Sequence, residues 1–226
     1  MLPSRLTWDT DTWADSFTKL LAFNQTSYAR ILTLDSDATV LDPPDELFLL
    51  PSTPVAMPRA YWLLDSSDPV RSLSAHVLLL QPSAAEFARV QARVAAAESN
   101  EYDMEVLNDL YLDSALVIPH RGYAMLSAEF RGSDDQHALY LGSGDEFWDP
   151  VAAYEEAKVI HFSDWPAPKP WVRMTDEERD EYQPQCVMQY DGREDCTERK
   201  IWNSLYQDFW ERRQVSLDVG GVGRVV

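Results

Sequence analysis

The chain has little with which to meet a polyanion or a bilayer. Lys and Arg together number 19 against 38 Asp and Glu, a formal charge of −19 at pH 7, so its average surface repels phosphate backbones and anionic membranes. No basic stripe offsets that field, which argues against a nucleic-acid partner. No apolar run approaches the roughly 20 residues needed to span a bilayer, and the opening MLPSRLTWDT lacks the charged and apolar regions of a signal peptide. Internal repeats and coiled-coil heptads are also missing. Cysteine is scarce: Cys186 and Cys196 are the only two, separated by the polar VMQYDGRED with its Asp191-Gly192 turn signal. A local bridge between them would suit an oxidising secretory lumen, two free thiols a cytosol, and both readings stand. Asn24-Gln25-Thr26 fits the glycosylation acceptor pattern, which also points to the secretory route.

What is present suits a globular protein. The 226 residues are 45% hydrophobic and include eight Trp, enough for one large core or two small ones. Trp13, Phe17, Leu20 and Leu21 recur at near-helical spacing and predict a helix over Thr12–Asn24, with Lys19 on another face. RILTLDSDATVL (Arg30–Leu41) reads as a buried strand ending at Asp35. Pro54–Arg59 and Ala75–Leu80 are further strands, joined by a polar connection containing Asp65-Ser66-Ser67-Asp68-Pro69. Ser83-Ala84-Ala85-Glu86 is a capping box that opens a helix to about Glu98. A second helix is expected over Asp103–Leu112 and a strand over Ala115–Ile118. Asp134–Asp149 is expected to be a surface excursion. Lys158–Phe162 reads as a last strand, followed by the proline-held SDWPAPKPW, which cannot continue as a helix. A terminal amphipathic helix carries Ile201, Trp202, Leu205, Phe209 and Trp210, and Val215–Val226 is expected to be a loose tail. The alternation of strand and helix predicts an α/β fold, a mixed sheet flanked by helices.

The sharpest chemical feature is Asp35-Ser36-Asp37, two carboxylates one residue apart where an apolar strand runs out. The carboxyl ends of strands are where α/β sheets bind ligands, and two close oxygens hold a hard cation while leaving positions for phosphate oxygens. Such pairs also simply cap and solvate loops. His161 ends another strand; added to two carboxylates, an imidazole moves metal preference toward manganese, and otherwise it is a core histidine bonded to a carbonyl. Lys169 can place a point charge on a diphosphate, or be an exposed loop lysine. Asp103 is equally suited to capping its helix, and Lys19 to facing solvent.

LDSDATVL resembles the Asp-x-Asp strand of the family 8, glycogenin-like glycosyltransferases, and HFSDWPAPKPW is similar to the His-Phe…Lys-Pro-Trp segment of their metal and diphosphate site. TKLLAFNQTSYARILTLDSD resembles the approach to that strand, and YDMEVLNDLY the acidic helix start lining the sugar pocket. The resemblance covers about Phe17–Trp171 and is nearest to fungal N-acetylglucosaminyltransferases, through PVAMPRAYWL and HFSDWPxPKPW. It implies a Rossmann-like nucleotide-diphospho-sugar transferase fold of GT-A type, incomplete at its N-terminus. Residues 1–171 would be the C-terminal catalytic portion, 172–214 a helical extension and 215–226 a flexible tail.

By matching position, Asp35, Asp37 and His161 would ligate Mn2+ or another divalent cation. Ser36, Ser74 and Lys169 would bind the donor, and Lys19 and Asp103 would serve catalysis. The implied reaction is retaining transfer of N-acetylglucosamine or glucose from a UDP-sugar to a glycan acceptor. The alternatives are a truncated noncatalytic member acting as a binding protein, and a metal-assisted phosphohydrolase. Resemblance places the enzyme in the Golgi lumen with its anchor outside this chain; the alternative is the cytoplasm. Departures from the family pattern are Ser74-Ala75-His76 for Asn-Ser/Ala-Gly, Met104 for Gln, and a segment after His161 that is two residues longer. Asp164 also stands where a glycine is expected, and its carboxylate would repel a diphosphate unless turned away.

Overall fold

The structure is a computed structural model and describes residues 16–63 and 72–220, with the backbone alone for 215–220. Strands are β1 (Ile31–Leu34), β2 (Ala38–Val40), β3 (Val55–Pro58), β4 (Val77–Leu80), β5 (Leu116–Ile118), β6 (Met125–Leu126), β7 (Val159–His161), β8 (Val187–Met188) and β9 (Glu194–Asp195). Helices are α1 (Ala84–Ala95), α2 (Asp103–Tyr111), a short kinked α3 (His120–Tyr123), α4 (Asp134–Leu141), α5 (Pro150–Glu156), α6 (Asp176–Tyr182) and α7 (Thr197–Gly220). The described residues form two compact units, one within 16–36 and 43–124 and the other within 37–42 and 125–220.

In the first unit the sheet order is β1-β4-β3-β5. β4 pairs antiparallel with β1 and β3, while β3 pairs parallel with β5. Every residue of β3 (VAMP) and β4 (VLLL) is buried, the continuous apolar pattern of strands covered on both faces. Phe17, Leu20 and Phe23 join them from the 3-10 helix Ser16–Asn24, with Val90 and Val94 from α1 and Val106, Leu107 and Tyr111 from α2. The predicted first helix is thus 3-10 over its described part; residues 12–15 and the Asp65–Pro69 connection lie outside the described residues. β1 is only half-buried rather than buried, because it lies at the described edge of its sheet. The Ser83 cap forms, its Oγ accepting from Glu86 N at 3.1 Å. Glu86 turns outward, accepting from Tyr111 OH at 2.6 Å and Arg89 at 2.8 Å.

In the second unit β7 lies between β2, antiparallel, and β6, parallel. β1 stops at Leu34, in keeping with the strand expected to end at Asp35, and β2, which was not expected, is a separate strand in this second sheet. The expected excursion over Asp134–Asp149 contains α4, whose His137 and Tyr140 are buried against Trp148; Gly142 ends the helix at φ +71°. The polar lettering concealed a helix with two inward aromatic-ring positions. α7 continues to Gly220, past the Val215 at which a tail was expected, while residues 221–226 lie outside the described residues. Cys186 and Cys196 form a disulfide that closes the β8–β9 hairpin around Gly192, which excludes free thiols.

Asp164 ties the proline-rich segment to α7. Its carboxylate is buried and accepts from Ser127 Oγ, from Trp202 Nε1 at 2.9 Å and from Tyr206 OH at 3.0 Å, with the Arg131 guanidinium at 3.4 Å. Burial and the adjacent carboxylate both push the Tyr206 hydroxyl far above the ordinary tyrosine range, so it remains a donor. The side chain therefore points into the unit's core, and the repulsion a carboxylate here would exert on a diphosphate is avoided. Removing it leaves buried donors and a cation without their acceptor. Asp164→Ala should cost about 3 kcal/mol in urea unfolding, with Asp164→Asn less damaging; an unchanged midpoint would show that these contacts contribute nothing.

Candidate functional site

In the first unit the 3-10 helix turns Phe17, Leu20 and Phe23 into the core and leaves Lys19 on another face. Lys19 Nζ lies 2.5 Å from Asp35 Oδ1 and 2.6 Å from Asp103 Oδ2, and donates to the Ala75 carbonyl at 2.8 Å. Its side chain is only 13% exposed, so it does not face solvent. Burial alone would lower its pKa, but Asp103 and Asp35 outweigh that and hold it above the ordinary lysine value. Asp35 follows β1 directly and its amide donates to the His76 carbonyl at 3.1 Å. Asp103 is the first residue of α2 rather than its cap; Tyr102 holds the cap position, its amide donating to Glu105 at 2.9 Å. The Asp103 carboxylate is thereby directed to Lys19, where the positive end of α2 also favours it.

In the second unit Asp37 is 9% exposed. One carboxylate oxygen faces His161 Nε2 at 3.2 Å and the other accepts from Lys169 Nζ at 2.5 Å. Strand pairing supplies this geometry: Ala38 opposes His161 across β2 and β7, and Phe162 N donates to the Asp37 carbonyl at 2.8 Å. His161 is therefore paired with a carboxylate instead of a backbone carbonyl. Lys169 also donates to the Phe162 carbonyl at 3.3 Å, so the proline-held segment returns its charge to the end of β7. Burial alone would raise the Asp37 pKa; His161 and then Lys169 overcome it and hold the carboxyl well below the ordinary carboxylate range.

The site residues expected from sequence thus fall into two charge clusters, Lys19 with Asp35 and Asp103, and Asp37 with His161 and Lys169. Ser36 is exposed and is the chain link between the two carboxylates of the Asp-x-Asp sequence. Ser74 is buried, with its Oγ 2.7 Å from His76 Nδ1. His76, which the sequence marked only as a departure from the family pattern and gave no site role, stacks its ring on Trp62 at 5.6 Å.

No protein-family model matches the chain. It is 54% identical over 95% of its length to "Glucose N-acetyltransferase 1" of Gibberella zeae, and 44% identical over 91% to the protein of that name in Aspergillus fumigatus. It spans about half of each, 46% and 55% of their lengths. Its fold is similar to that of the apo-form glycosyltransferase GlyE of Streptococcus pneumoniae TIGR4, with a TM-score of 0.55 and 14% identity over 96% of this chain and 48% of that one.

A folded carboxyl is more acidic here than in the unfolded chain, so the Asp37 cluster contributes stability that is present above the ordinary pKa of 3.8 and is lost as pH falls through that value toward the folded one. The stability difference between the native chain and Asp37→Asn, read from urea midpoints, should be clear at about pH 6 and shrink toward about pH 2. A difference independent of pH would show that His161 and Lys169 do not act on this carboxylate. The polypeptide is thus similar along nearly its whole length to about half of the fungal proteins named glucose N-acetyltransferase 1, and its fold is of the GT-A glycosyltransferase type.

Proposed function

We propose that the chain is the catalytic portion of a family 8, metal-dependent, retaining glycosyltransferase. It would move N-acetylglucosamine or glucose from a UDP donor to a glycan acceptor. The observation that carries this reading is the Asp37 cluster: one buried carboxylate held between an imidazole and an ammonium, at the end of a strand and beside a proline-held segment. The name of the fungal relatives, glucose N-acetyltransferase, supports a transferase with a sugar substrate.

The donor types suit a borderline divalent ion such as Mn2+: Asp37 and His161 with Asp35 two residues earlier in the chain, two carboxylates and an imidazole. Such an ion supplies charge to offset the departing diphosphate. Lys169, neutralising Asp37 in this structure, would add its ammonium to the same oxygens, and Ser36 and Ser74 would contribute donor contacts. Lys19 would orient Asp103, whose carboxylate contacts sugar hydroxyls and stabilises positive charge at the anomeric carbon. In the transfer the bond from the anomeric carbon to phosphate oxygen breaks and a bond to the acceptor oxygen forms on the same face. The acceptor's proton passes to the released phosphate. The disulfide suits an oxidising compartment, in keeping with a secretory, Golgi-type location.

Calorimetric titration of UDP into the purified chain should give binding that requires manganese and that is lost in Asp35→Ala/Asp37→Ala. Absence of binding by folded chain, or binding indifferent to both metal and mutation, would contradict the reading.

A further inference from the structure

Phe130, Phe162, Trp202 and Tyr206 of the second unit are buried, but Trp165 is 88% exposed. Its neighbours are not loose. Asp164, the preceding residue, is anchored in the core by Ser127, Trp202, Tyr206 and Arg131. On the other side Ala167 N donates to the Asp164 carbonyl at 2.7 Å, closing a turn that contains Trp165. Pro166, Pro168 and Pro170 restrict the backbone further. An indole displayed on a backbone already fixed loses little freedom when a ligand covers it.

Position separates this residue from the other exposed aromatics. Trp165 lies four residues after His161 and four before Lys169, and four residues of extended chain span at most about 14 Å. One or two sugar rings bridge that distance. Tyr28, Phe147 and Tyr190 are also exposed, but none belongs to the segment that carries these two residues. A flat, electron-rich indole face suits the C–H face of a pyranose ring, while the acidic chain offers such a neutral ligand no charge attraction.

We propose that Trp165 is an acceptor-binding platform, stacking on a sugar ring of the glycan one or two units from the reacting hydroxyl. This rests on the transferase reading above, and it names the surface on which the acceptor lies. The role requires an aromatic ring rather than a particular hydrogen bond.

The test uses chain labelled with 5-fluorotryptophan, in which the Trp165 19F resonance is identified by its disappearance in Trp165→Phe. Maltotriose, chitotriose and α-linked mannotriose are titrated separately, in the presence of manganese and UDP. At least one should shift the Trp165 resonance, and its affinity, followed by calorimetry, should fall about tenfold or more in Trp165→Ala and be largely retained in Trp165→Phe. UDP affinity should be the same in all three proteins. If UDP binds but no trisaccharide moves the resonance, or if the affinity of Trp165→Ala is unchanged, the platform is overturned and the donor site stands. If a trisaccharide binds at Trp165 but UDP does not bind at all, the sugar platform stands and the transferase reading fails.

Discussion

Compensation of buried carboxylates by a few placed cations is the constraint on which the rest of the structure depends. The chain carries twice as many acidic as basic side chains, 38 against 19, and most of that excess can sit in water at little cost. Asp37, Asp103 and Asp164 cannot, because all three are largely buried. Each is answered differently: Asp37 by an imidazole and an ammonium, Asp103 by Lys19, and Asp164 by neutral donors with Arg131 near. A buried charge left alone would cost several kcal/mol, so these partners fix the backbone segments that carry them. The 3-10 helix with Lys19, β7 with its terminal His161 and the proline-rich segment with Lys169 each carry such a partner.

The same arrangement fixes the cations of both charge clusters. Lys19 is kept protonated and in place by Asp35 and Asp103, and Lys169 is held against Asp37. Asp164 shows the opposite use of the same side chain. Five residues away from Lys169 in sequence, its carboxylate is turned into the core by hydrogen bonds from Trp202 and Tyr206 and serves the fold. One short segment thus holds a structural carboxylate, an exposed indole and a cation, alternately inward and outward.

Much of this was legible in the sequence where the signal is local. β3, β4 and β7 are short apolar runs, α1 opens on a serine cap, and the Asp-x-Asp and His-Phe…Lys-Pro-Trp wording marked the residues now found in two charge clusters. Where long-range contacts decide, the letters were not enough. RILTLDSD shows where β1 stops, but nothing in the short ATV announces a new strand in a different sheet, because its pairing with β7 is made by residues far along the chain. α4 was hidden because its buried side chains, His137 and Tyr140, are polar in composition but stack on Trp148. The burial of Asp164 depends on residues up to 42 positions away, beyond the reach of any local pattern.

The measurement that bears most directly on the account is release of UDP from UDP-N-acetylglucosamine by the purified chain, with manganese, with and without an oligosaccharide acceptor. The account predicts release that needs manganese, is accelerated by acceptor, and is matched by transfer of the labelled sugar; Asp37→Asn should abolish it. Release at the same rate without acceptor and with no labelled oligosaccharide would contradict it and make the Asp37 cluster a hydrolytic site instead.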